Sequence, residues 1–261
     1  MTLTVFASGS GGNCLLLCGG GASILIDVGI STRRLTGLLA SCGLSLQDID
    51  GVLITHEHSD HISGLKTLLK HTHCPVYAPR TVGAHVCGLV PDCCERLSVI
   101  TVGETFPIGR MRVRAFHTPH DTPESVGYRV ESGAVFAIAT DMGCVTEEIR
   151  QGLLGADTVL IESNHDENML RFGPYPVPLK RRILSDHGHL SNANCAALAG
   201  ELARSGTGTI ILGHLSRENN RPDIARAAAE ETLAGLPVRL LCAPELGCLE
   251  VKVERACLPS D

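Results

Sequence analysis

The residues best suited to metal chemistry lie in one short stretch, THEHSDH, from Thr55 to His61. Three histidines and two acids crowd into HEHSDH directly after an apolar run, which is more than a simple turn requires. At a strand end, His56 and His58, followed by Asp60 and His61, can point toward two adjacent places. Imidazole and carboxylate without thiolate favour zinc, manganese or iron in a hydrolytic site over a structural cysteine-type zinc site.

Three further residues extend this candidate site. His120, Asp141 and His214 each lie at the carboxyl end of a predicted strand or in the loop after one. Open α/β sheets gather their ligands at such strand ends. His117 stands three residues before His120, so position alone allows either histidine to be the ligand.

The elements that must position these residues can be read from the hydrophobic pattern. Predicted strands cover residues 3–7, 14–18, 24–27, 51–55, 75–78, 111–116, 126–130, 135–140, 158–162 and 209–213, with two more near Val238 and Leu249. Predicted helices begin after Ser31, begin near His61, and cover about 178–186, 192–204 and 222–233. This order suits an α/β protein in which helices lie outside two sheets.

Composition limits the class of protein. The 261 residues are 44% hydrophobic, which fits one α/β domain spanning residues 1–261. We expect a cytoplasmic protein with no membrane association, because we find no signal-like start and no apolar run near ~18 residues. The twelve cysteines are scattered, which argues against a disulfide framework. The net charge of -6 argues against a large nonspecific nucleic-acid surface.

The ordered motifs resemble those of the metallo-β-lactamase fold. THEHSDH is similar to its HxHxDH motif. Asp27 in LIDVG, His120 in HDTPESVGY, Asp141 in ATDMG and His214 in LGHLS match its other motifs in order. The resemblance covers nearly the whole chain and implies an αββα sandwich with a binuclear metal site.

The resemblance also implies a role for each residue of the site. The ligands of two divalent ions, Zn2+ or Mn2+, would be His56, His58 and His120 for one ion and Asp60, His61 and His214 for the other. Asp141 would bridge the ions, and Asp27 would support the ligand loop from behind. His120 is favoured over His117 because HDTPESVG resembles the third motif with its histidine first. Two such ions would supply hydroxide near neutral pH, and Asp60 belongs to the catalytic set as well.

A second stretch, SDHGHLSNANCAAL, bears on the choice of substrate. It places His189 just before a helix that Ser191 or Asn192 can cap, and such a helix start suits an anionic phosphate. The segment is similar to one in the RNase Z and RNase J branch, which implies that His189 contacts the scissile phosphate and assists the leaving oxygen. The alternative is a histidine that caps the helix or packs in the core.

Longer matches resemble the YycJ family, also called VicX or WalJ, whose members are linked to 5′-to-3′ exonuclease activity on DNA. The matching segments are SGSGGN, ESNHDENML, YPVPLKRRILSDHGHLSN and LGHLSRENNRP. The family implies single-stranded DNA or a DNA end as substrate. Ser10 and Asn13 are candidates for substrate binding, although ordinary turn roles explain them equally well, and Ser191 and Asn192 at the helix start are further candidates.

Two other functions remain open at this point. The chain has no room for a large inserted nucleic-acid domain, so it would grip few nucleotides and trim an end. The same feature fits a small-molecule hydrolase acting on a cyclic phosphodiester, lactone or thioester. A regulatory module that keeps the metals without turnover is the third possibility. The sequence leaves the oligomeric state open.

Overall fold

Two seven-stranded β-sheets form the middle of the molecule. The computed structural model describes residues 1–255 of the chain. Its strands are β1 Thr2–Ala7, β2 Cys14–Gly19, β3 Ala22–Ile26, β4 Gly51–Leu53, β5 Val76–Pro79, β6 Leu97–Ile100, β7 Thr105–Ile108, β8 Met111–His117, β9 Val126–Glu131, β10 Val135–Ala139, β11 Thr158–Glu162, β12 Thr209–Gly213, β13 Arg239–Cys242 and β14 Leu249–Lys252. The first sheet has the order β14-β1-β2-β3-β4-β5-β6, and the second has the order β13-β12-β11-β10-β9-β8-β7.

Helices connect the strands and pack outside the sheets. They are α1 Thr32–Ser41, α2 Ser59–Ile62, α3 Leu65–His71, α4 Arg80–Leu89, α5 Glu147–Leu153, α6 Glu167–Phe172, α7 Val177–Ile183, α8 Asn192–Arg204 and α9 Pro222–Leu233. Two short 3-10 turns cover Leu46–Asp48 and Pro91–Cys93. In each sheet, strands that neighbour one another in parallel end at the same edge, which is where a site can form.

Three apolar clusters show the layers. The cluster between the sheets contains Ile24 from the first sheet and Tyr128 and Phe136 from the second. A second cluster packs α1, α3 and α4 on the outer face of the first sheet. A third packs α5, α8 and α9 on the outer face of the second. The predicted αββα sandwich is therefore confirmed, and strands covered on both faces explain the nearly continuous apolar runs.

The boundaries differ from the prediction where polar groups or close packing interrupt an element. The strand predicted over 51–55 ends at Leu53, because the Thr55 N–H donates to the Asp27 carboxylate at 2.9 Å. The helix predicted near His61 consists of α2 and α3. Gly64 lies between the two, at a point where a Cβ would lie 2.0 Å from the Ile30 carbonyl oxygen. The helix predicted over 178–186 is α7, which ends at Ile183.

Two other expectations concern the whole chain. Over residues 1–255, no helix is both long enough and apolar enough to cross a membrane. The cysteines of this part of the chain are free thiols, of which Cys14 is buried and Cys94 is exposed. Cys257 lies outside the described residues.

Candidate metal centre

The predicted ligands meet at one edge of the two sheets, where several strands end. The HEHSDH loop leaves β4, while Asp27, Asp141 and His214 follow β3, β10 and β12. These last three are the non-glycine residues of the described chain with positive φ, at 59°, 56° and 53° respectively. Such conformations cost of order 1–3 kcal/mol each and cluster at functional sites. The fold therefore holds strained backbone at the point where these side chains converge.

The two implied trios are each brought together. Within each trio, one ligand atom per residue lies within 4.8 Å of the others. The trios are His56, His58 and His120, and Asp60, His61 and His214. The sequence motifs thus correspond to two compact groups of donors.

Asp141 lies between the two trios. Its Oδ2 is 3.3 Å from Nε2 of His61, and its Oδ1 is 3.5 Å from Nε2 of His214. Oδ1 is also 3.8 Å from Nε2 of His120, a member of the other trio. This carboxylate is therefore placed where a residue bridging two cations would have to be.

Several of these atoms are buried without a hydrogen-bond partner in the described chain: Nε2 of His56, Nε2 of His214 and Oδ2 of Asp141. Buried polar atoms normally have partners. Burial also lowers the pKa of His56 and of His120, which favours the neutral imidazole that binds metal. Orphaned donors of this kind fit divalent cations.

Asp27 supports the HEHSDH loop from the side away from the centre. Its carboxylate accepts the Thr55 N–H and the Thr55 hydroxyl, both at 2.9 Å. It also lies 2.7 Å from Nδ1 of His61. Holding Nδ1 in this way directs Nε2 of His61 toward the centre, which is the role implied for Asp27.

Glu162 supports the other half of the centre, and no role for it was predicted. It ends β11, is fully buried, and lies 2.7 Å from Nδ1 of His189 and 3.0 Å from Nδ1 of His214. It also accepts the backbone N–H groups of Met142 and Leu190. Like Asp141, Glu162 stands at the carboxyl end of a predicted strand, so its position in the sequence could have identified it as a candidate.

The charges of this pair are set by their contact. Burial would raise the pKa of Glu162, but the charge of His189 and the hydrogen bonds from the two histidines lower it to about 2. Burial would likewise lower the pKa of His189, yet Glu162 raises it above its ordinary value. The pair therefore favours a carboxylate beside an imidazolium, and the ring presents its Nε2 to the cleft that it lines.

His120 and His117 have different surroundings. Nδ1 of His120 is 3.2 Å from the Gly188 carbonyl oxygen, which directs its Nε2 toward the trio. His117 is half-exposed and lies 3.1 Å from Glu148 and 3.3 Å from Glu124. The structure therefore places His120 in the group of donors and His117 outside it.

A cleft of about 260 Å³ opens above the donors. Its walls include Asp60 and His189 from the predicted catalytic set. Tyr175, Arg182 and Asp121 also line it, and Arg182 forms an ion pair with Asp121. The wall opposite the metal ligands is thus built by α7 and the loop before it.

The four residues considered for substrate binding are placed differently from one another. Ser10 is exposed and lines the cleft. Asn13 is buried, and its side chain contacts Asp60 and His61 at 3.4 and 3.0 Å. Ser191 accepts a backbone N–H as the cap of α8, as predicted, and Asn192 is buried among polar side chains. Of the four, the cleft-lining position belongs to Ser10.

The sequence matches a known domain and bacterial relatives. Residues 22–215 match the model of the beta-lactamase superfamily domain. The chain is 37% identical over 234 residues to the exodeoxyribonuclease YycJ of Bacillus anthracis, covering 88% of each protein. It is 35% identical over 237 residues to the exodeoxyribonuclease WalJ of Streptococcus pneumoniae, covering 88% of this chain and 87% of WalJ.

The fold also matches solved structures. Zn2+-bound PqqB from Methylobacterium extorquens superposes with a TM-score of 0.72 at 18% identity, covering 97% of this chain and all of that one. The metallo-beta-lactamase fold protein YhfI from Bacillus subtilis gives a TM-score of 0.70 at 17% identity, covering 95% and 98%. At these identities the likeness concerns the fold.

Proposed function

Since the chain belongs to the beta-lactamase superfamily and, within it, to the family of YycJ and WalJ, we propose that it is a 5′-to-3′ DNA exonuclease. It is a metal-dependent hydrolase, and the coarser activity of a nuclease or phosphodiesterase follows from the same relatives. One observation carries the finer proposal. His189, paired with the buried Glu162, stands in the same cleft as members of both trios of candidate ligands.

We propose that the two trios and the shared Asp141 hold two divalent ions, Zn2+ or Mn2+. Bound there, the ions would lower the pKa of a water molecule toward ~7 and offset phosphate charge. Asp27 and Glu162 fix the histidine rings so that their free nitrogens face the centre. The protein contributes the orientation of every donor before substrate arrives.

His189 is proposed to protonate the leaving oxygen. Its Nδ1 is held by Glu162 at 2.7 Å, and this buried carboxylate stabilises the protonated ring beside the cleft. A positioned acid of this kind contributes ~10² to 10⁴ in rate. The reaction would leave a shortened strand and a free nucleotide.

The size of the cleft supports attack at a strand end. Its volume of about 260 Å³ is below the range of roughly 300–1,000 Å³ typical of drug-sized ligand sites. A single nucleotide at the end of a strand suits such a space better than a duplex does. The small cleft also makes a small phosphodiester the second candidate substrate.

A metal-titrated nuclease assay tests the proposal. Protein supplied with Mn2+ or Zn2+ is mixed with DNA and RNA strands labelled at the 5′ or the 3′ end. We expect stepwise release of nucleotides from the 5′ end of DNA. Faster hydrolysis of cyclic phosphodiesters, lactones or thioesters than of any oligonucleotide would replace the exonuclease with the small-molecule hydrolase. Metal-loaded protein that is inert on every ester would indicate the regulatory module.

The variant His189→Ala tests the proposed acid. We expect metal content to be retained, by elemental analysis, while turnover falls about 10²- to 10⁴-fold. His187→Ala is the matched control, because His187 is an exposed histidine two residues earlier. Unchanged turnover in His189→Ala would remove the assignment.

A further inference from the structure

The wall of the cleft opposite the metal ligands has an unusual composition. Residues 171–182, RFGPYPVPLKRR, hold four basic residues and no acidic ones, in a chain whose net charge is -6. The sequence has five phenylalanines, three tyrosines and no tryptophan, and this segment contains one phenylalanine and one tyrosine. We call residues 171–182 the basic aromatic segment.

Phe172 is the exposed aromatic residue of residues 1–255. Phe172 is 87% exposed and Tyr175 is a partly buried wall of the cleft. Phe6, Phe136 and Tyr128 are fully buried in the core. Phe172 lies three positions before the cleft-lining Tyr175, and Val177 in the same segment is 59% exposed, so apolar side chains of this segment are grouped in solvent beside a wall of the cleft.

The segment is held rigidly although its side chains are exposed. The Lys180 ammonium donates to the carbonyl oxygens of Arg171 and Gly173 at 2.9 and 2.8 Å. A Cβ at Gly173 would lie 2.4 Å from the Met169 carbonyl oxygen, so the chain passes too close there for another residue. Prolines stand on both sides of Tyr175. A rigid support lowers the entropy lost when a ligand is bound.

Charge and ring chemistry together specify the ligand. Unpaired bases stack on aromatic side chains, while basic side chains follow the phosphates. Arg182 lines the cleft, and Arg181 beside it is exposed. An apolar protein partner would not require this basic charge, and a duplex would keep its bases stacked away from the rings.

On the proposed exonuclease function, we infer that the basic aromatic segment is a stacking platform for unpaired bases next to the scissile phosphate. Tyr175 stacks on the base nearest the cleft, and Phe172 stacks on a base farther along the strand. The platform selects single-stranded over paired DNA, because a base inside a duplex is already stacked on both faces.

Binding to a normal and an abasic strand tests the platform. Fluorescence anisotropy is measured with metal-loaded protein carrying His189→Ala, so that the strand is not shortened. We expect Tyr175→Ala to weaken binding of the normal strand about tenfold, and Phe172→Ala to weaken it less. Binding of an abasic strand of equal length should change less than twofold in either variant.

Two controls separate stacking from loss of structure. Tyr175→Phe keeps the ring and should bind the normal strand within about twofold of its parent. Leu89→Ala removes another exposed apolar side chain, which is 61% exposed and lies on α4, and should have no effect. Lys180→Met removes the two bonds to the loop, and we expect it to reduce the preference for normal over abasic strands.

The outcomes distinguish this inference from the proposed function. Equal losses on both strands, or no loss on either, would overturn the platform. So would a Phe172→Ala variant that changes only the molar mass in light scattering, because the surface would then serve self-association. Should DNA be shortened without any base preference, the exonuclease stands and the platform falls. The converse result, base-dependent binding without cleavage, would leave the platform and remove the exonuclease.

Discussion

Asp27 and Glu162 are buried carboxylates that brace opposite halves of the same centre. Asp27 follows β3 of the first sheet and contacts Thr55 and one candidate ligand, His61. Glu162 ends β11 of the second sheet and contacts both the candidate ligand His214 and the proposed acid His189. On the proposed function, one carboxylate would therefore orient a metal ligand alone, whereas the other would couple metal binding to proton transfer.

The two halves of the centre therefore align their side chains in different ways. The first sheet supplies a crowded loop whose donors follow one another in the sequence, and a single support is enough to align it. The second sheet supplies its residues from separate strand ends and loops. The Glu162 carboxylate contacts two of the histidines and aligns them with each other. Substitution of the two carboxylates should therefore give different kinetic signatures.

The largest effect is expected from Glu162→Gln. Its neutral amide has one oxygen, so with that oxygen accepting the Met142 and Leu190 backbone N–H groups its NH2 group faces both histidines and cannot accept from them. We expect turnover to fall about 10²- to 10⁴-fold, with a further loss of about 10- to 100-fold in metal affinity. Steady-state kinetics across a metal titration would measure both losses.

Glu148→Gln is the control for that experiment. Glu148 also contacts a histidine, His117, at 3.1 Å, but both side chains are about half-exposed and outside the centre. We expect kinetics within twofold of the unsubstituted protein. If excess metal fully restored turnover in Glu162→Gln, the two carboxylates would be equivalent and the contrast between the halves would be wrong.

A smaller effect of a different kind is expected from Asp27→Asn. Asparagine tolerates the positive φ of 59° at this position, so the backbone is preserved while one acceptor of the buried carboxylate is lost. We expect metal affinity to fall about 10- to 100-fold, with turnover recovering at saturating metal.

Asp50→Asn is the matched control for Asp27. Asp50 accepts the Ser23 N–H at 2.7 Å on the same sheet, but it is exposed and away from the cleft. The metal affinity of the Asp50→Asn variant should equal that of the unsubstituted protein. A loss of turnover in Asp27→Asn that persists at saturating metal would show that this carboxylate also acts on the chemistry.

The same contrast explains which parts of the centre could be predicted from the sequence. One motif contains His56, His58, Asp60 and His61, so residue type and spacing were sufficient to predict that these side chains lie close together. The αββα layers followed from the order and hydrophobicity of the strands. Asp141 and His214 could be placed because each follows a recognisable strand, although their proximity to the first motif needed the resemblance to a known fold.

The remaining features depend on contacts between distant segments. Glu162 and His189 are 27 positions apart, and nothing in their spacing shows that they meet at 2.7 Å. The exposure of Phe172 depends on how α6 ends against its neighbours. The position of Asn192 at a helix start suggested substrate binding. Its side chain instead forms hydrogen bonds with Ser163 and Asn220 from other loops. Such tertiary contacts join distant segments, so the sequence around each residue does not indicate them.

The smallest effect is expected from Thr55→Val, which tests the support of the first half in finer detail. The buried Thr55 hydroxyl donates to Asp27 at 2.9 Å and lies 3.1 Å from Nδ1 of His56 and 3.2 Å from Nδ1 of His61. Valine keeps the shape and removes the hydroxyl, while the Thr55 N–H still reaches Asp27.

A hydrogen bond of this kind contributes roughly 0.5–1.5 kcal/mol, so Thr55→Val should weaken metal binding about 2- to 10-fold in calorimetric titration. Thr55→Ser, which retains the hydroxyl, should bind metal nearly as tightly as threonine. Because the hydroxyl contacts one histidine from each trio, both binding steps should weaken if it acts through the rings. If only one metal-binding step weakens, the Thr55 hydroxyl acts through Asp27 and His61 alone. Asp27 would then be the one residue that orients the ligands of the first half.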